Sequence, residues 1–269
     1  MVATAPAVSL HLALRYRAQT APMEPVVHLR SAVALLGRFP ALSGVDLDVA
    51  RHEVVLLRGA NGVGKTTLLR MCAGLVALTS GTGSVLGVDL SGDRRALRRR
   101  VGLLGHSNGL YVELTVAENV RFWGRAAGAS DAEVDAAMTQ LGLGGRLATT
   151  TIDRCSAGQR RRTALAALVV RRPELWLLDE PHAGLDADGR DLIDVLIRRA
   201  AAAGATVIVA SHESERAAAI ADRVVHLAGG RDVPAPVADA GDTADATDTV
   251  EAGDAADAAD AAVPVEERP

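Results

Sequence analysis

Nine consecutive residues constrain this chain more than any others: Gly59-Ala60-Asn61-Gly62-Val63-Gly64-Lys65-Thr66-Thr67. They fit the pattern G-x-x-x-x-G-K-[ST] and follow the apolar run Val54-Val55-Leu56-Leu57, which reads as a buried strand. A helical pattern comes next, with Leu68, Leu69, Met71, Cys72 and Leu75 on its apolar side. Strand, glycine-rich turn and helix in that order make a phosphate cradle. Gly59, Gly62 and Gly64 permit a turn, running through Asn61 to Thr67, whose backbone N–H groups converge on phosphate oxygens. The helix N-terminus adds partial positive charge. Lys65 suits the β- and γ-phosphates of a nucleotide, and the Thr66 hydroxyl can ligate Mg2+. Composition sharpens this: among 29 basic residues Lys65 is the only lysine.

A cradle of this kind needs an acidic partner at the end of a neighbouring strand. Leu175-Trp176-Leu177-Leu178-Asp179-Glu180 supplies it. Asp179 is expected to hold the magnesium, directly or through water. Glu180 beside it is placed to polarise a water for in-line attack on the γ-phosphate. Two further short runs, Val101 to Leu104 and Thr206 to Ala210, also read as buried strands, the second ending in Ser211-His212. Open α/β sheets bind ligands at such strand ends. Between Leu114 and about Leu147 the spacing is helical, without a strong strand.

Before the acidic strand lies Cys155-Ser156-Ala157-Gly158-Gln159, then Arg160-Arg161-Arg162 and an apolar-periodic run to Val170. Ser156 and Gln159 form an S-x-x-Q capping box, so a helix starts here, and Pro173 stops it. Ser-Ala-Gly-Gln, 23 residues before Asp179, also resembles the signature motif of ABC ATPases. Gly184-Leu185-Asp186 resembles that family's D-loop, and Ser211-His212 its switch histidine. The resemblance covers about residues 26 to 230. It implies an α/β P-loop NTPase of the ABC ATPase type with a helical subdomain, about residues 105–154.

The resemblance also implies a mechanism. Two cassettes sandwich two ATP molecules head to tail, in a dimer of identical or different chains. Ser156 and the helix start at Gly158 would then face the γ-phosphate bound by the partner's cradle. Asp186 would couple the two sites, and His212 would help Glu180 position the attacking water. The implied setting is peripheral, on the cytoplasmic face of a membrane beside transmembrane permease subunits. No stretch of this chain approaches the roughly 20 apolar residues of a membrane-spanning helix, so it is not expected to span a membrane by itself.

Three positions depart from the family pattern. His106 stands where a glutamine is expected, after the strand Val101 to Leu104. At the adenine-stacking position stands Leu36, with Phe39 three residues on as a substitute, and the usual glycine before the cradle strand is His52. Gly105-His106, the stretch Leu114 to Phe122 (Leu-Thr-Val-Ala-Glu-Asn-Val-Arg-Phe) and the arginines after Ser-Ala-Gly-Gln look like the ATPase of the haem exporter of cytochrome c maturation. Single-cassette ATPases of drug or peptide efflux share most of this pattern. Rivals of another kind are an ABC protein acting on nucleic acid or the ribosome, and an ATP sensor with a degenerate site.

Charge divides the chain. From Pro234 onward there are ten acidic residues and one basic, with an acid at every third position from Asp239 to Asp260. A period of three fits neither a helix face nor a strand, so residues 231–269 read as a disordered acidic tail. Residues 1–25 read as a disordered extension, or as the product of a start upstream of Met23. The remaining body is mildly basic. Its densest cluster, Arg94 to Arg100, has no interleaved aromatics and reads as a solvated helix face, so no direct nucleic-acid contact is expected. Two distant cysteines, Cys72 and Cys155, suggest neither a disulfide framework nor a zinc site.

Overall fold

The computed structural model describes residues 24–212 and 214–234. The expected extension before residue 24 and the tail beyond residue 234 lie outside them.

β1 (Val27–Leu36) and β2 (Phe39–Val49) form an antiparallel hairpin that turns at Gly37, where φ is 64°. β3 (Val54–Arg58) leads into α1 (Lys65–Cys72), followed by β4 (Ser80–Val85), β5 (Val88–Asp89), α2 (Leu97–Arg100) and β6 (Val101–Leu104). Then come α3 (Val116–Ala126), α4 (Asp131–Gln140) and α5 (Ala157–Arg171). The order closes with β7 (Leu175–Asp179), α6 (Ala187–Ala202), β8 (Thr206–Ala210), α7 (Ser214–Ile220), β9 (Arg223–Ala228) and β10 (Arg231–Val233).

Two sheets result. One is antiparallel, in the order β2-β1-β4-β5; the other has six strands in the order β10-β9-β3-β8-β7-β6. In the larger sheet β9, β3, β8, β7 and β6 run parallel, and only the edge strand β10 is antiparallel. The four runs read as buried strands are β3, β6, β7 and β8. Their alternate residues enter two separate cores, as the two-residue period of a strand requires. Val54, Leu56, Trp176, Leu178, Val207 and Val209 join the core shared with α3 to α6. Val55, Leu57, Leu175, Leu177, Ile208 and Ala210 join the core shared with α1 and the antiparallel sheet. Burial on both faces explains why these segments read as unbroken apolar runs.

Several expectations are corrected here. α1 stops at Cys72, because Gly74 turns the chain at φ 73°, and Leu75 lies outside the helix and exposed. β10 pairs with β9, so the folded body extends past the expected boundary at residue 230. The arginine cluster is only partly a solvated face: Arg94 donates to the Val76 carbonyl, and Arg100 to the Leu86 carbonyl and the Glu174 carboxylate. The helices expected between residues 105 and 154 are α3 and α4, each opened by a complete capping box, Thr115 with Glu118 and Ser130 with Glu133. They pack on α5, so the helical layer continues beyond residue 154. Cys72 and Cys155 are free and buried. Among the described residues no helix is long and apolar enough to cross a membrane.

Candidate active site

The parallel register sets the C-terminal ends of β3, β7 and β8 side by side, with Leu57 beside Ala210 and Ala210 beside Asp179. The glycine-rich loop rises from the first of these ends. Gly62 and Gly64 adopt φ of 81° and 105°, conformations that favour glycine. A Cβ on Gly64 would also lie 2.5 Å from the Ala41 carbonyl oxygen. The loop thus wraps closely, and α1 starts at once with Leu68 N–H donating to the Gly64 carbonyl. Lys65 is only 7 % exposed, and its Nζ donates to the carbonyls of Gly59 at 2.7 Å and Ala60 at 2.9 Å.

Thr66 Oγ1 donates to Asp179 Oδ2 at 2.8 Å, joining the loop to the end of β7. Glu180 follows with φ 47°, a left-handed conformation unusual for a side chain other than glycine. Its N–H donates to the Ala210 carbonyl at 2.8 Å. Its carboxylate receives the His212 N–H at 3.0 Å and Ser211 Oγ at 3.2 Å, and lies 2.9 Å from His212 Nδ1. Two residues singled out from the sequence, Glu180 and His212, therefore meet directly.

A cleft of about 650 Å³ opens over these strand ends. Its wall includes Asn61, Gly62, Gly64, Lys65, Thr66, Thr67, His106, Asp179 and Glu180. Leu36 also lines it, whereas Phe39, its partner across the hairpin, is 79 % exposed and does not. His52 has φ 66°, so the residue standing where the family commonly has glycine does occupy a backbone position suited to glycine. The other candidates lie off the wall. Ser156 and Gln159 cap α5 reciprocally, and Asp186 caps α6 by accepting from Gly189 N–H at 2.9 Å. Gly158 packs against Gly184, whose carbonyl oxygen would be 3.0 Å from a Cβ at residue 158. Gly59 contributes its carbonyl to Lys65.

Arg161 was not singled out by its chemistry, yet it organises the site. Only 5 % exposed, it donates to the carbonyls of Gly105 at 2.7 Å, Asp179 at 2.5 Å and Glu180 at 2.7 Å, and to Asn108 Oδ1 at 3.1 Å. Burial pulls its pKa down from 12.5 to about 10, against the opposing pull of the Asp179 and Glu180 charges. The signal for it was positional. Arg161, Ala164, Leu165 and Leu168 recur at i, i+3, i+4 and i+7, which puts the arginine on the buried face of α5.

The donor set suits a particular kind of cation. Among the described residues no group of three or more histidine, cysteine, aspartate or glutamate side chains could cage a metal. One hydroxyl and one carboxylate, Thr66 and Asp179, sit together at the mouth of the cradle. That fits Mg2+, which takes one or two protein oxygens and completes its shell with phosphates and water.

Comparison with known proteins agrees with this geometry. The profile of a family described as ABC transporter matches residues 42–183. The chain is 39 % identical over 170 residues to the cytochrome c biogenesis ATP-binding export protein CcmA of Rhodopseudomonas palustris, covering 63 % of this chain and 83 % of that protein. It is 38 % identical over 186 residues to the CcmA of Bordetella bronchiseptica, covering 68 % and 83 %. To the Fe(3+) ions import ATP-binding protein FbpC of Streptomyces coelicolor it is 39 % identical over 211 residues, covering 77 % of this chain but 60 % of that protein. Among solved structures, a dimeric ATP-binding cassette in a post-hydrolysis state with ADP and phosphate superposes with TM-score 0.70 at 25 % identity, covering 77 % of this chain and 96 % of that one. The ATP binding subunit of an ABC transporter gives 0.71 at 26 %, covering 77 % and 88 %.

Proposed function

Because this chain belongs to the ABC transporter family, whose ATP-binding domains hydrolyse ATP, we propose that it powers a membrane exporter linked to haem export in cytochrome c maturation. The observation that carries the finer reading is the match to two cytochrome c biogenesis proteins, each over 83 % of its own length. Gly105-His106 after β6 points the same way. A second reading, coupling to a different permease, is favoured by the equal identity to the iron-import protein.

In the proposed cycle the backbone N–H groups of residues 59–67 and the Lys65 ammonium hold the nucleotide phosphates. Thr66 and Asp179 bind Mg2+, which when present neutralises charge developing on the phosphate oxygens. Glu180 takes a proton from the attacking water, and His212 holds the Glu180 carboxylate in place. His106 stands on the cleft wall to hydrogen-bond water or phosphate. Ser156, Gly158 and Asp186 act across a nucleotide-closed dimer, a division supported by the dimeric state of the solved relative. The dimer sits peripherally on the cytoplasmic face of the membrane, held by permease subunits, and needs no nucleic acid.

A tagged pull-down from native membranes in mild detergent, with partners identified by mass spectrometry and haem by absorbance, tests this. Recovery of cytochrome-maturation membrane subunits is the expected result. A different permease removes haem and leaves the transport ATPase; ribosomes or DNA-repair proteins without a permease overturn the transport reading.

A further inference from the structure

Two residues beyond Glu180 the chain buries a histidine that neither phosphate nor metal binding requires. His182 is 1 % exposed, with Nε2 at 2.8 Å from Asp194 Oδ1 on α6. Asp194 Oδ2 accepts from Arg216 on α7 at 2.6 Å, and the same guanidinium reaches Asp191 Oδ1 at 2.6 Å. A carboxylate held by arginine is an acceptor, so the His182 proton sits on Nε2. Nδ1 is then a bare, buried nitrogen without a hydrogen-bond partner among the described residues. Such an atom is costly in a packed interior, and an apolar side chain would avoid it. The bond to Asp194 is what the histidine supplies.

That bond closes a ring. Arg216 lies four residues after His212, and His212 touches the Glu180 carboxylate. From Glu180 the chain runs to His182, then by side chains to Asp194 and Arg216, and back along the chain to His212. On the cleft side the ring is joined by the carboxylate; on the buried side it is joined by the histidine. We propose that the His182–Asp194–Arg216 relay is a positioning device that fixes the spacing between Glu180 and His212. It rests on the reading of Glu180 as the base, and keeps that carboxylate aimed despite the left-handed backbone at residue 180. His182 is a positioning residue, since it lies off the cleft wall.

The test is steady-state MgATP hydrolysis by the full chain together with amide hydrogen exchange in its nucleotide-free form. His182→Phe is expected to lower kcat about tenfold with KM for ATP within about twofold. His182→Gln, whose amide nitrogen takes the place of Nε2, keeps at least about half of kcat, whereas His182→Asn, whose amide reaches only the Nδ1 position, behaves like phenylalanine. Arg216→Met acts in the same direction, and the double variant falls no further than the worse single one. Wild-type kcat in His182→Phe, equal losses with phenylalanine and glutamine, or multiplying losses in the double variant would overturn the proposal. If His182→Phe does not fold, Arg216→Met and His182→Gln carry the comparison. In the exchange measurement Arg216→Met should accelerate segments 180–186 and 211–220 together, and unchanged exchange overturns the relay. A wild-type chain that binds ATP without turnover removes the role of Glu180, and exchange alone then decides the relay.

Discussion

Replacing Arg161 by methionine is the sharpest perturbation the site offers. The guanidinium donates to four carbonyls, those of Gly105, Asp179, Glu180 and Pro181; that of Glu180 also accepts from Ala183 N–H, so removing the arginine takes the donor from the other three. At about 2 kcal/mol per orphaned group the loss is roughly 6 kcal/mol. Part of this is offset, because the guanidinium no longer has to be buried. The fall of its pKa from 12.5 to about 10 corresponds to roughly 3 kcal/mol of strain on the charged form. The net loss is about 3 kcal/mol, or roughly 6–12 °C in Tm for a body of this size. Thermal melting followed by circular dichroism reads the stability, and steady-state ATPase reads the site. We expect kcat to fall at least about tenfold, because the carbonyls released flank Glu180. Arg161→Lys keeps the charge but cannot span these acceptors with one ammonium, so it should recover stability ahead of kcat. An Arg161→Met protein melting within about 2 °C of wild type, with unchanged kcat, would refute the reasoning.

The other expectations are simpler. Lys65→Ala should weaken nucleotide binding about 100-fold, equivalent to roughly 3 kcal/mol of charge-assisted hydrogen bonding, in titrations with a fluorescent ATP analogue; unchanged affinity contradicts the cradle. Glu180→Gln should bind ATP and accumulate as a dimer on gel filtration, whereas normal turnover would exclude Glu180 as the base. At Glu174 the hydrogen bond from Arg100 holds the carboxyl below its ordinary 4.5. A depressed carboxyl stabilises the fold above that value and loses its contribution as pH falls through the folded value. Glu174→Gln should therefore melt lower than wild type at pH 7, with the gap shrinking on acidification; a pH-independent gap would exclude the linkage.

What could be read from the sequence was what lies close together along it. The cradle and its strand, the Asp179-Glu180 pair and the Ser156 capping box each occupy a few contiguous residues, and local spacing alone specifies their geometry. Four of the parallel strands, β3, β6, β7 and β8, were legible as apolar runs because they are largely buried, whereas β9, only partly buried, was not. The antiparallel sheet was less legible. β4 reads Ser-Gly-Thr-Gly-Ser-Val, with few residues of strand propensity, and is held by pairing with β1, whose partner residues lie 47 to 58 positions earlier. Arg161 binds carbonyls 18, 19 and 56 residues distant, and carbonyls leave no mark in a sequence. His182 depends on Asp194 and Arg216, whose ordinary charged character on exposed-looking helices conceals their target. The apolar period alone extends α1 to Leu75, whereas the helix ends at Cys72 and Gly74 turns the chain.

Lys65 bears on how a ligand would be met. Its ammonium already rests between two carbonyls of its own loop, so a long side chain has given up its rotamers, worth up to about 2 kcal/mol, during folding and not on nucleotide arrival. The entropic cost of binding is correspondingly smaller, and the loop is a stiff surface already shaped for phosphate. For such a surface the rate of encounter depends little on fine detail. Substitutions around the loop should register instead in how long the nucleotide stays.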